Sequence, residues 1–166
     1  MKDSYGGHHI RTVDCEDEAA TDCLGRCLAD IVEGGLVITL DGELGSGKTR
    51  LVRSLCDSLG VGPNQVNSPT FVILQFYTDG RVPIAHFDTY RLADVDEFLA
   101  IGADEYLNST EWLCLVEWAN RVEEILPEDR LRIRITQTGV GSRRFEFEAG
   151  GDRSELVLKK LRTESI

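Results

Sequence analysis

Two apolar rhythms alternate along this chain, and together they predict alternating strands and helices. Leu36-Val37-Ile38-Thr39-Leu40 is a continuous, partly β-branched run of the kind a buried parallel strand needs, and Leu51, Leu55 and Leu59 after it recur at helical spacing. Ahead of it, Ala20, Leu24, Cys27, Leu28 and Ile31 share one face of a helix predicted from about Glu16 to Val32. Acidic Glu16-Asp17-Glu18 suits the first turn of that helix, and Gly34-Gly35 ends it. Ile10 to Val13 reads as a short edge strand.

Further along, Phe71 to Tyr77 reads as a strand, Asp79-Gly80 as a hairpin turn and Val82 to Phe87 as the returning strand. Asp94 to Ile101 predicts a short amphipathic helix. Trp112 to Val116 is a second strongly apolar strand, and Ala119 to Leu126 a helix stopped by Pro127. Leu131 to Ile135 and Arg144 to Glu148 alternate strictly around Gly139-Val140-Gly141, which predicts a half-exposed antiparallel hairpin. Asp152 to Arg162 closes the pattern as a helix. Strands interleaved with helices predict an α/β fold: a central, mostly parallel sheet flanked by helices, with an antiparallel hairpin extension.

Composition narrows the function. At 166 residues and 42% apolar content the chain suits one compact unit, expected over residues 10–166 behind a polar tail at 1–9 that carries His8-His9. A formal net charge of −11 argues against a broad grip on nucleic acid or an anionic membrane. No run is long enough to span a bilayer. An odd five cysteines without a secretory leader fit a reducing cytoplasm, and Cys23 and Cys27, at i, i+4, lack the second pair that would complete a zinc site.

The chemistry is carried by Gly42-Glu43-Leu44-Gly45-Ser46-Gly47-Lys48-Thr49, which fits G-x-x-x-x-G-K-[ST] at every fixed position and stands between the buried strand and the Leu51 helix. In such a loop backbone N–H groups cradle phosphates, the lysine reaches the β and γ phosphates, and the hydroxyl serves Mg²⁺. Two apolar strands end in carboxylates, Asp88 and Glu117, which converge on the crevice where open α/β sheets bind ligands. The connector Gly60 to Pro69 leads into Ser68-Pro69-Thr70, in the position of a nucleotide-sensing switch. No N-K-x-D or T-K-x-D segment reads guanine. A small-molecule kinase would use the same loop, although no lid insertion is evident. A nucleotide-gated binding module without significant hydrolysis is a further alternative.

GELGSGKT, Ser68-Pro69-Thr70-Phe71, His86-Phe87-Asp88-Thr89-Tyr90-Arg91-Leu92 and Leu115-Val116-Glu117-Trp118, in this order, closely resemble the TsaE (YjeE) family of bacteria. The resemblance implies an ATPase needed for N6-threonylcarbamoyladenosine at position 37 of tRNA. In that family ATP hydrolysis acts on the complex of the TsaD and TsaB proteins, with tRNA contacted only indirectly. It implies ATP and Mg²⁺ as cofactors, with Leu44, Gly45, Ser46, Gly47, Lys48 and Thr49 on the triphosphate, Thr49 and Glu117 serving the metal, and Asp88 by the metal or the attacking water. Lys48, Asp88 and Glu117 form the catalytic set, and Ser68 and Thr70 the switch. Ala19 and Thr21 border the adenine, Arg143 or Arg144 reaches the phosphates, and Trp118 stacks near the nucleotide or packs in the core.

Overall fold

In a computed structural model that describes residues 10–62, 65–67 and 71–162, the chain forms a seven-stranded sheet with helices on both faces. The strands are β1 (Ile10–Cys15), β2 (Val37–Asp41), β3 (Leu74–Tyr77), β4 (Ile84–Asp88), β5 (Leu113–Glu117), β6 (Leu131–Gln137) and β7 (Arg143–Ala149). The helices are α1 (Glu18–Ala29), α2 (Lys48–Ser58), α3 (Val95–Ala100), α4 (Ala103–Leu107) and α5 (Asp152–Lys160). Strand order is β1-β7-β6-β2-β5-β4-β3. The central strands β6, β2, β5 and β4 are parallel, while β3 and the β7, β1 pair add antiparallel edges. The expected α/β class, parallel core and hairpin extension are all present.

Alternation along the strands sorts the core into two layers. On one face Ile38, Leu40, Ile84, Leu113 and Leu115 pack under Leu24 and Leu28 of α1, Leu51 and Leu55 of α2, and Val157 and Leu158 of α5. On the other, Ala85, Phe87, Cys114 and Val116 pack under Phe98 of α3 and Leu107 of α4. Each fully buried side chain of this size contributes about 1.5–3 kcal/mol relative to exposure. The β6, β7 hairpin buries only one face, through Ile133, Ile135, Phe145 and Phe147, as its alternation predicts.

Several boundaries differ from expectation for identifiable reasons. Helix α1 begins later than Glu16 because Asp17 is its N-cap, its carboxylate accepting from Ala20 N at 2.8 Å. The expected helix over 119–126 is instead a pair of 3-10 turns, Ala119–Arg121 and Glu123–Ile125. Trp118 enters the first of them in the left-handed region, at φ 61°, and Val122 between them has extended φ, so no continuous α ladder forms. The strand expected from Phe71 starts only at Leu74, because Ile73 adopts φ 67° and leaves Phe71 and Val72 exposed. Helix α4 follows α3 through left-handed Gly102, a second helix that the periodicity did not separate. Among the described residues no helix is long and apolar enough to cross a membrane.

Candidate functional site

Strand β2 hands the chain to the loop Gly42–Gly47, and α2 starts at Lys48. The turn into the helix needs Gly47, whose φ of 106° would strain any residue with a Cβ. The Lys48 ammonium folds over this loop. It donates to the carbonyls of Gly42 at 2.6 Å and Glu43 at 2.9 Å, and lies 3.8 Å from the centre of the Trp118 ring. Burial lowers its pKa from the ordinary value, against the opposing pull of Glu117, Asp88 and Asp41. Cys15, Cys56 and Cys114 are buried, whereas Cys23 and Cys27 of α1 are half-buried.

The parallel register sets Asp88 opposite Glu117. Both side chains end their strands on the face covered by α2, and both are nearly fully buried. Thr49 in the first turn of α2 shares its hydroxyl proton between the two oxygens of Glu117, 2.9 Å from Oε2 and 3.1 Å from Oε1. Asp88 Oδ1 accepts from the Tyr90 N–H at 2.9 Å. Thr89 fixes the turn after β5, donating to the carbonyls of Glu117 and Trp118. Tyr90 and Trp118 pack ring on ring at 4.9 Å and form the outer wall.

These groups line a cleft of about 240 Å³ that runs from Gly45 and Lys48 to Asp88 and Glu117. A second cleft, of about 600 Å³, lies between the loop and Arg134 to Gln137 of β6, with Leu44 and Trp118 shared between the two. Leu44, at the loop tip, is 81% exposed. Trp118 therefore belongs to the site wall and is only half-buried.

Of the two hairpin arginines, Arg143 is the one at the loop: its Nε donates to the Ser46 carbonyl at 2.9 Å. Arg144 pairs with Asp14 of β1, away from the loop. Arg50, beside Thr49, pairs with Glu18 and Asp22 and so sets the start of α1 against the start of α2. Ala19 is exposed there, whereas Thr21 is buried with its hydroxyl directed to the Asp17 carbonyl. Neither Ala19 nor Thr21 lines either cleft. Ser68 and Thr70 lie outside the described residues.

One member escaped the sequence reasoning. His86 is 0% exposed, and its Nε2 lies 2.9 Å from Glu117 Oε1. The signal was available, since His86 and Asp88 are two apart on one strand and must share a face.

A strand, a glycine loop closed by a lysine at a helix start, and carboxylates from neighbouring parallel strands define a phosphate-loop protein of the α/β class. The family model described as "Threonylcarbamoyl adenosine biosynthesis protein TsaE" matches residues 15–145. A Bacillus subtilis (strain 168) protein named tRNA threonylcarbamoyladenosine biosynthesis protein TsaE is 41% identical over 151 residues, covering 91% of each chain. A Streptomyces coelicolor protein of the same name is 44% identical over 116 residues, 68% of this chain and 76% of its own. The crystal structure of Bacillus subtilis YdiB superposes with a TM-score of 0.79 at 32% identity, covering 93% of this chain and 95% of that one. The chain belongs to the TsaE family.

Proposed function

We propose that this protein is a Mg²⁺-dependent ATPase of the cytoplasm that serves tRNA threonylcarbamoyladenosine formation by acting on the complex of TsaD and TsaB proteins. The observation that carries the reading is the contact between Thr49 and Glu117, which places a hydroxyl and a carboxylate at the mouth of a phosphate loop. Family membership supports the pathway, because the relatives that match are named for it.

The residues present fit Mg²⁺. Hard oxygen donors from one hydroxyl and one or two carboxylates are what this ion takes when nucleotide phosphates complete its shell. Thr49 and Glu117 would hold the ion, which when bound supplies charge neutralisation at the β and γ phosphates.

The chain's own groups do the rest. Backbone N–H groups from Leu44 to Thr49 bind the triphosphate, and Lys48 exchanges its loop carbonyls for phosphate oxygens and stabilises charge developing on the γ phosphoryl group. Asp88, held by the Tyr90 N–H, orients the attacking water. Arg143 braces the loop through Ser46. Ser68 and Thr70 serve as the switch, and the segment at Ala19 and Thr21 borders the adenine. The products are ADP and phosphate, and the useful output is a conformational change passed to the partner proteins. A net charge of −11 leaves tRNA contact indirect.

The test measures ATP turnover with and without Mg²⁺, alone and with the TsaD and TsaB proteins. Turnover that requires Mg²⁺ and responds to the partners is expected. Partner affinity that follows ATP binding with no hydrolysis would make the chain a gated binding module instead.

A further inference from the structure

We propose that His86 is a positioning residue for Glu117, holding its carboxylate so that Oε2 is the oxygen offered to the metal; this rests on the nucleotide-site reading above. A glutamate at a strand end has three side-chain torsions, and its function depends on which are locked. Here Oε1 faces His86 Nε2 at 2.9 Å, while Oε2 takes the shorter of the two Thr49 contacts. A carboxylate only accepts, so Nε2 carries the proton and donates.

The imidazole is itself fixed. Its Nδ1, an acceptor in that tautomer, lies 3.3 Å from the Tyr77 hydroxyl, whose single proton is shared between Nδ1 and Gln75 Oε1 at 2.7 Å. The chain of contacts thus runs from the edge strand β3, through His86 of β4 and Glu117 of β5, to Thr49 of α2. The links between strands are set by the sheet: Gln75 is the register partner of His86, which sits two residues before Asp88, the register partner of Glu117. Second-layer hydrogen bonds of this kind orient metal-binding groups.

The experiment compares wild type, His86→Leu and His86→Gln, each checked for fold by circular dichroism and melting. Mg²⁺ is titrated into the protein saturated with a non-hydrolysable ATP analogue, and the affinity for the analogue itself is measured in EDTA. His86→Leu is expected to lose about 10- to 100-fold in affinity for Mg²⁺ at the nucleotide-bound site, while affinity in EDTA changes less than about twofold. His86→Gln, whose amide can still donate to Oε1, should recover most of the Mg²⁺ effect. If His86→Leu does not fold, His86→Asn replaces it, its amide being too short to make the 2.9 Å contact.

Wild-type Mg²⁺ dependence in a folded His86→Leu or His86→Asn protein overturns the proposal. So does an equal loss in EDTA, which would mark a merely structural residue. Failure of the wild type itself to bind the analogue would sink the nucleotide reading and this one with it.

Discussion

Arg143 Nε donates to the Ser46 carbonyl at 2.9 Å, so the β6, β7 hairpin is tied directly to the phosphate loop. The guanidinium also adds positive charge beside backbone that is to receive phosphates. Arg143→Ala should weaken ATP-analogue binding by about 3- to 10-fold, the worth of one ordinary hydrogen bond. Melting should change little. Titration of the analogue checks this, and unchanged affinity would reduce Arg143 to a hairpin residue.

Lys48 makes its present contacts with carbonyls of its own loop and with the Trp118 face. Replacing it removes those bonds and the charge that the γ phosphoryl transition state needs. Lys48→Ala should lower ATP turnover by at least about 100-fold, in line with loss of a preorganised electrostatic group. The variant should stay folded. Turnover at the wild-type rate would remove Lys48 from the mechanism.

Thr49, Glu117 and Asp88 separate the metal role from the water role. Thr49→Val and Glu117→Gln should raise the Mg²⁺ concentration needed for half-maximal turnover, and Thr49→Ser should behave as wild type. Asp88→Asn should lower the maximal rate by about 10²–10⁴-fold, the range for a group that handles a proton or orients the nucleophile, with little change in the Mg²⁺ requirement. If Asp88→Asn instead shifts the Mg²⁺ requirement, the two carboxylates must exchange roles.

Much of this site was legible because its members sit at element ends that hydrophobic patterning marks well. Val37 to Asp41 and Leu113 to Glu117 are strands whose apolar runs stop where the chemistry begins, so the loop, Asp88 and Glu117 followed from pattern alone. His86 was hidden by its own strand: among Ile84, Ala85 and Phe87 it reads as filler unless its side is counted. The turns after β5 escaped for a different reason. Ala119 to Leu126 has helical composition, but Trp118 at φ 61° and the site wall it forms override propensity. Tertiary pairings such as Arg143 with Ser46 have no local signal at all.

Gly25 shows the same conflict inside α1. Glycine in a helix interior is about 1 kcal/mol worse than alanine, yet a Cβ here would stand 2.5 Å from Ser54 Oγ and 3.0 Å from the Leu55 backbone nitrogen of α2. Ser54 cannot swing aside freely, since its hydroxyl donates to the Asp22 carbonyl at 2.6 Å. Gly25→Ala should therefore destabilise by about 1–3 kcal/mol, the cost of overpacking, despite its better propensity. Denaturant unfolding measures it; a stabilised variant would show that α1 and α2 can part at little cost.

Asp129 supplies the cap that α5 lacks locally, since the residue before that helix is Gly151. Its carboxylate accepts from the backbone of Arg153 at 2.9 Å and of Ser154 at 3.0 Å, and from the Ser154 hydroxyl at 2.8 Å. Partial burial pushes its pKa up, but those hydrogen bonds outweigh burial and hold it below the ordinary 3.8. The folded pKa being the lower, the stabilisation is complete above the unfolded value and fades as pH falls through the folded one. Asp129→Ala should cost about 0.5–2 kcal/mol at neutral pH, as for loss of an N-cap. The gap between wild type and variant in denaturant unfolding should then close as the solution is acidified below pH 3.8. A gap that stays constant into acid would mean that the carboxylate charge contributes nothing to the cap.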